Sequence, residues 1–140
     1  MSLLTAFDAI DVVYSHLVNS PVKDAITGNI YKLKRPINAT DEGKEDIVIN
    51  SLGLPNKDIQ QGIVNVNIYV PNLSLQINNR QDHTQQDFIR AKQLVRLVIE
   101  QLQEFYSGDY FFLYQQDNPL QGEEGESATN IRVDFFSINL

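Results

Sequence analysis

The sequence predicts an α+β fold, in which two helices pack on one face of a mostly antiparallel sheet. Two segments repeat their apolar residues with a helical period, and five shorter segments alternate apolar and polar residues as strands do. The order is α-β-β-β-α-β-β, so strands follow one another in runs, as in hairpins. The alternation itself supports this class, because strands of a parallel sheet covered on both sides are apolar on both faces.

The first helix is predicted over residues 3–18, where steps of four and three separate Leu3, Phe7, Ile10, Tyr14 and Leu17. A first short strand follows in IYKLKRP, at residues 30–36. The polar residues 37–45 then predict a long hairpin loop, and DIVINSL, at residues 46–52, predicts a second strand. The core face of this second strand stays open between Ile47/Ile49 and Val48/Leu52.

The third strand is predicted in GIVNVNIYVPNL, at residues 62–73, and its two sides differ in character. One side is a regular core face made of Val64, Val66, Ile68 and Val70. The other side carries Ile63, Asn65, Asn67 and Tyr69. Charged residues are the usual choice for a strand face in water, so amides and a tyrosine there indicate a surface with another role.

A long second helix is predicted over residues 84–106, with Thr84 as its N-cap and Asp87 completing an approximate capping box. The fourth strand, DYFFLYQQ at 109–116, is apolar on both sides. We assign Phe111 and Leu113 to its core face. Residues 117–128 predict an acidic, glycine-containing loop, and residues 130–138 predict a last strand whose core face is Ile131, Val133 and Phe135.

The composition describes one globular domain over residues 1–140, with 42% hydrophobic and 21% charged residues. The chain has no cysteine, which excludes disulfides and thiolate chemistry. Its net charge of −7 argues against gripping nucleic acid through phosphates. The N-terminal residues 1–17 have no basic region before their apolar part, so we expect neither a signal peptide nor a membrane span, and an intracellular product.

No catalytic, cofactor-binding or metal-binding motif is recognisable, so we expect no catalytic residues, no cofactor and no metal. His16 lies on the polar flank of the first helix and is expected to be structural. His83, with Asp82 and Asp87, is the one group that could form a weak metal site, although such a site needs three or four converging ligands. An enzyme built around these three residues stays open as one alternative for the function.

The predicted sheet carries more apolar surface than one core needs, because two helices can cover only one face. Aromatic residues and amides with few charges are typical of protein–protein interfaces. We therefore expect a subunit interface on the opposite face, formed by Ile63, Asn65, Asn67, Tyr69, Tyr110, Phe112, Tyr114 and Phe136. The alternative is that the loop at 37–45 or the segment at 72–83 folds over this face within the same chain.

A resemblance to a known family rests on the order and length of the elements from about Leu3 to Ile138. Three stretches carry it: GNIYKLKRP, QQGIVNVNIYVPNL and NIRVDFFSI. The chain resembles the tail-terminator, minor tail and head–tail joining proteins of long-tailed bacteriophages. The resemblance is one of layout, because that family has no short diagnostic motif and no catalytic residues. The segment at 72–83 is longer than the layout needs, and its role is unexplained.

The resemblance implies a virion structural protein of a phage or prophage, made in the cytoplasm of a bacterial host and placed in the tail or neck. It implies a homo-oligomeric ring, usually a hexamer, that ends the tail tube and offers its other side to the head connector. DNA would pass through the ring without specific binding. Glu123, Glu124 and Glu126 are then candidates for the lumen or for a loop that contacts a partner. The second alternative is a small bacterial α+β module that binds a peptide or small molecule.

Overall fold

A computed structural model describes residues 3–120 and 125–138 of the chain, and it confirms the predicted α+β class. The helices of the described chain are α1 (Ala6–Val18), α2 (Val22–Ala25) and α3 (Phe88–Leu102). Thr5 and Asp8 form a capping box at the start of α1, in which the Thr5 hydroxyl accepts from the Asp8 amide and the Asp8 carboxylate accepts from the Thr5 amide.

A curled sheet of six strands forms the centre of the molecule, in the order β1-β2-β3-β8-β7-β6. Its strands are β1 (Ile30–Lys32), β2 (Asp46–Ser51), β3 (Ile59–Pro71), β6 (Glu104–Ser107), β7 (Tyr110–Pro119) and β8 (Glu126–Ile138). A separate two-stranded hairpin consists of β4 (Leu75–Ile77) and β5 (Arg80–Asp82), and it occupies most of the segment that the predicted layout left unexplained.

The core lies between the inner face of the sheet and the helices α1 and α3. It contains Val64, Val66, Ile68 and Val70 of β3 and Ile131, Val133 and Phe135 of β8, as predicted, packed against Val13 and Leu17 of α1 and Leu94 and Val98 of α3. β3 and β8 pair along their whole length, from Ile59 opposite Ile138 to Pro71 opposite Glu126. This pair fixes which side chains reach the opposite face of the sheet, which we call the outer face.

Residues 37–45 do not form the predicted hairpin loop, because β1 and β2 pair in parallel. Parallel neighbours need a crossover connection rather than a hairpin. The crossover, residues 33–45, runs over the outer face and contains a short 3₁₀ helix (Ala39–Glu42). It leaves β1 at Leu33, whose φ of 71° is a strained value for a bulky side chain and turns the chain out of the sheet.

The long helix predicted over residues 84–106 corresponds to α3, which is shorter than predicted at both ends. Asp87, not Thr84, is the N-cap of α3, since its carboxylate accepts from the Arg90 amide at 3.2 Å. Thr84 instead donates through its amide and its hydroxyl to the Asp82 carboxylate, at 2.8 and 2.6 Å. At the other end, residues 104–107 leave the helix and form the edge strand β6, which pairs with β7.

The predicted acidic loop at 117–128 is also shorter, because β7 continues to Pro119 and β8 begins at Glu126. Asn118 pairs with Asn130, and Pro119 with Thr129. Glu123 and Glu124, two of the residues predicted to line a lumen or contact a partner, lie outside the described residues.

Candidate interaction surface

The outer face carries the side of β3 that the sequence singled out. Ile63, Asn65, Asn67 and Tyr69 all lie on it, because their alternate neighbours from Val64 to Val70 are buried in the core. β8 supplies the neighbouring row, with Asp134 opposite Ile63, Arg132 opposite Asn65, Asn130 opposite Asn67 and Ala128 opposite Tyr69. The two central strands therefore define the chemistry of the outer face.

The amides in the middle of the outer face bond to one another across three strands. Asn65 donates to the Asn50 Oδ1 at 3.1 Å, and Asn130 donates to Oδ1 of Asn65 and of Asn67, at 3.2 and 2.8 Å. Asn65 is 8% exposed, so these bonds replace water at a nearly buried position. The amide cluster, Asn50, Asn65, Asn67 and Asn130, thus explains why β3 carries asparagines where charged residues are usual.

One end of the outer face is covered by the crossover, mainly by Arg35, which lies just before the loop at 37–45 that the sequence offered as a cover for this face. The Arg35 guanidinium lies over the Tyr69 ring at 3.9 Å and binds both carboxylate oxygens of Glu126, at 3.0 and 2.5 Å. Asp46 approaches the same guanidinium at 3.6 Å, and the Thr40 hydroxyl donates to Glu126 at 2.9 Å. The hydrogen bond with Glu126 raises the pKa of Arg35 above its usual value.

Two predicted site residues are corrected by this contact. Glu126 is 8% exposed and holds Arg35, so it is an internal ion-pair partner and is not available to a lumen or a partner loop. Tyr69 lies on the predicted face, but the Arg35 guanidinium covers its ring. Both residues therefore fasten the crossover to the sheet.

The faces of β7 are the reverse of the prediction. Phe112 pairs with Phe135 and is completely buried, so it belongs to the core and cannot be an interface residue in the folded chain. Tyr110 and Tyr114 share that inner face. The Tyr114 hydroxyl donates to Asp117 at 2.5 Å, and burial together with this bond raises the pKa of Tyr114 to about 12.

The outer side of β7 carries Phe111 and Leu113, so the prediction that these two residues belong to the core is wrong. Phe111 stacks between two other rings, 5.3 Å from Tyr106 of β6 and 4.6 Å from Phe136 of β8. We call Tyr106, Phe111 and Phe136 the aromatic ladder. Of the predicted interface residues, Phe136 is confirmed on this face, and Tyr106, Phe111 and Leu113 were missed.

Two charges lie between the aromatic ladder and the amide cluster. Arg132 is a half-buried residue whose Nε is inaccessible to solvent and has no hydrogen-bond partner among the described residues. Asp134 is two residues further along β8 on the same face. Beside it, Leu52, Ile63 and Gln115 line an open depression of about 340 Å³. A buried guanidinium N–H without an acceptor is costly, so this part of the face is incomplete in the isolated chain.

The residues proposed as a weak metal site do not converge. Asp82 is engaged by Thr84 and Gln85, and those bonds hold the pKa of its carboxyl below the usual value. No three His, Asp or Glu side chains within residues 3–120 and 125–138 lie close enough together to hold a metal ion. His16, the other histidine, packs on Phe105 and Phe112 and donates through Nε2 to the Gln101 carbonyl at 2.7 Å.

A second concave surface lies on the helix side of the molecule, between α3 and the second half of β7. It is a groove of about 510 Å³, lined by Val95, Ile99 and Pro119 with Lys92 and Arg96 along it. Phe88 and Ile89, at the start of α3, are 70% and 72% exposed. Apolar residues this exposed at one end of an otherwise well-packed helix indicate a contact surface.

No protein-family model matches the chain, and no curated protein matches it in sequence. Within the described parts of the chain, every helix is too short or too polar to cross a membrane.

Proposed function

We propose that the protein is a structural component of a long-tailed phage or prophage, which assembles into a homo-oligomeric ring. The ring would end the tail tube and join it to the head connector, in the tail or neck of the virion, after synthesis in the host cytoplasm. Its action would be assembly through surface complementarity, without catalysis and without a cofactor.

The observation that carries this proposal is the outer face of the sheet. The crossover covers only the end around Tyr69, and the other end presents the aromatic ladder, Leu113 and Ile63. Next to them lies Arg132, whose Nε has no hydrogen-bond partner among the described residues. Tyr106 is 63% exposed. Stacked aromatic residues beside a guanidinium are the composition of interface centres, where tyrosine, phenylalanine and arginine are enriched.

The layout of the elements supports the phage assignment through the resemblance described above. The predicted α-β-β-β-α-β-β order is present, with the short helix α2, the β4–β5 hairpin and β6 as additions. The charges fit a ring through which DNA passes: two of the arginines, Arg35 and Arg90, are bound by Glu126 and Glu45. Those guanidiniums are not free to hold phosphates, and the net charge is −7.

The test is the mass of the particle in solution, measured by native mass spectrometry and followed by negative-stain electron microscopy. We expect a closed ring with a central hole, and binding of this ring to tubes of the tail-tube protein from the same phage or prophage. Phe111→Asp should dissociate the ring, because it places a charge in the middle of the aromatic ladder.

A matched control is Phe7→Asp, the same substitution at an exposed aromatic residue of α1, which is 66% exposed. This variant should keep the ring. A wild-type chain that remains monomeric at high concentration and does not bind the tail-tube protein would overturn the proposal.

The groove beside α3 favours one alternative, a small binding module. Its volume of about 510 Å³ lies within the usual range for ligand sites. Its lining is largely apolar, and Glu100 and Asp117 balance the two cations there, so the groove suits an apolar ligand. Anilinonaphthalene sulfonate is a suitable probe, read by its fluorescence. A monomeric chain that binds this dye, and loses it on Ile99→Glu, would favour the module over the ring.

A further inference from the structure

The exposed side of α3 has a regular pattern that the core does not use. Ala91, Leu94, Val98 and Leu102 face the sheet. Ile89, Lys92, Arg96 and Glu100 are exposed, and their spacing of three, four and four residues places them on one side of the helix. We call these four residues the α3 stripe. It lies on the helix side of the sheet, so the stripe and the outer face are on opposite sides of the subunit.

Resting on the ring proposed above, we propose that the α3 stripe of one copy docks on the outer face of the next copy, along β8. Each subunit then contributes two different surfaces, one from its helix side and one from its sheet side. Contacts of this head-to-tail kind generate rings when the rotation closes, whereas a surface that pairs with itself stops at a dimer.

The charges of the α3 stripe and of the outer face along β8 are complementary, which supports a second copy of this chain as the partner. Along β8, the outer face presents Arg132, Asp134 and Phe136 in succession, and along the stripe the chain presents Glu100, Arg96 and Lys92. Arg96 and Glu100 are one helical turn apart, about 6 Å, and Arg132 and Asp134 are two strand residues apart, about 7 Å. The matching spacing allows Arg96 to meet Asp134 while Glu100 meets Arg132.

The same register pairs the remaining residues. Lys92 then lies over Phe136 of the aromatic ladder, where a cation is attracted to the face of a ring. Ile89 reaches the end of β8 near Ile138 and Ile59, which pair with each other across β3 and β8. Ile89 is 72% exposed and Ile59 is 60% exposed, so the contact would bury two apolar residues that the isolated chain leaves in water.

Arg132 gives independent support to this contact. The buried Nε of Arg132 needs an acceptor, and among the described residues the chain supplies none. A carboxylate arriving from a neighbour, such as Glu100, would give the half-buried Arg132 guanidinium the ion-pair partner that it lacks among the described residues. Glu100, Arg96 and Asp134 take part in no ion pair within residues 3–120 and 125–138, so all are available.

Charge reversal on the full chain tests the contact. R96E and D134R should each weaken self-association about tenfold or more, because each places like charges together across the contact. An equimolar mixture of the two variants should regain the wild-type mass. In that mixture the introduced glutamate meets the introduced arginine, and the unchanged Arg96 meets the unchanged Asp134.

Disulfide trapping gives a second readout that does not depend on the strength of the charges. The chain has no cysteine, so R96C/D134C introduces the only two thiols. These positions lie on opposite sides of the sheet and cannot join within one chain. Oxidation should therefore produce covalent dimers and higher species on a non-reducing gel, and R96C alone should not produce the higher species.

The outcomes separate this inference from the proposed function. A wild-type chain that remains monomeric at high concentration overturns the contact, and it overturns the proposed function as well when it also does not bind the tail-tube protein. An oligomeric wild type overturns only the contact if R96E and D134R keep its mass, if their mixture does not reassemble, or if R96C/D134C gives no cross-linked series.

Discussion

The Arg35 guanidinium lies 3.9 Å from the centre of the Tyr69 ring, and this contact divides the outer face into a covered half and an uncovered half. Arg35 reaches the ring because Leu33 turns the chain out of β1 and over the sheet. Glu126 and Asp46 then hold the guanidinium in place. The Tyr69 ring at this end is thereby covered within the chain, whereas the crossover does not cover the aromatic ladder at the other end.

Removal of Arg35 should show how much its ion pairs stabilise the packing of the crossover on the sheet. Arg35→Ala leaves the buried carboxylates of Glu126 and Asp46 without their cation, and breaking such a pair costs about 3 kcal/mol or more. We expect that loss in the free energy of unfolding by urea. Lys34→Ala, one residue away and exposed, should change it by less than about 0.5 kcal/mol. Equal effects of the two substitutions would contradict the fastening role.

The faces of β7 can be checked by comparing two neighbouring phenylalanines. Phe112→Ala removes a completely buried ring and should lower the free energy of unfolding by about 3–5 kcal/mol. Phe111→Ala removes a half-buried ring from the outer face and should cost less than half as much when both are measured on dissociated subunits. A larger loss for Phe111→Ala than for Phe112→Ala would mean that β7 has the orientation predicted from the sequence, with Phe111 in the core.

The start of α3 gives a prediction about capping. Asp87→Ala removes the acceptor of the Arg90 amide at the first turn and should cost about 1 kcal/mol of stability. Thr84→Ala removes a hydroxyl that bonds to Asp82 before the helix, so its effect should be small. Chemical denaturation of both variants measures the difference. A larger loss for Thr84→Ala would mean that the helix begins earlier.

The ion pair between Glu45 and Arg90 should give stability a defined pH dependence. Arg90 bonds to both Glu45 oxygens, at 2.6 and 2.9 Å, and these bonds lower the pKa of the Glu45 carboxyl. A lowered pKa means that the folded chain favours the charged form. The pair therefore contributes its full stability above the unfolded pKa, about 4.3, and loses it as the pH falls through the folded pKa.

Glu45→Gln is the variant that isolates this contribution. The difference in free energy of unfolding between wild type and variant should be constant near neutral pH and should shrink below about pH 4.3. Glu42→Gln, at an exposed position of the 3₁₀ helix, serves as the control and should follow the wild type throughout. A difference for Glu45→Gln that is independent of pH would contradict the charged pairing.

The sequence predicted β3 and β8 well because each has one consistently apolar side. Val64 to Val70 alternate with two amides and a tyrosine, and Ile131 to Phe135 alternate with charges, so only one choice of face buries the apolar set. The amide side of β3 was also placed correctly. Its main role inside the chain, the hydrogen-bonded amide cluster, could not be foreseen because Asn50 and Asn130 join it from strands distant in sequence.

The same reasoning failed at β7 because that strand is apolar on both sides. Periodicity cannot choose between Phe111 and Phe112 when either ring could fill the core. The bulge between Tyr114 and Gln116 further hides the register from any count along the chain. The pairing with β8 determines which side of β7 faces the core, because Phe112 pairs with Phe135, which the sequence correctly placed on the core face.

The pairing of β3 with β8 also determines when, during translation, the sheet can be completed. β8 lies between β3 and β7, so the two parts of the sheet, β1-β2-β3 and β7-β6, cannot join until the ribosome has made residues 126–138. In the proposed contact, α3 is translated well before Asp134 and Arg132 of β8. A nascent chain would therefore carry the helical half of the contact without the sheet half that receives it, and ring growth would wait for chains whose translation has passed β8.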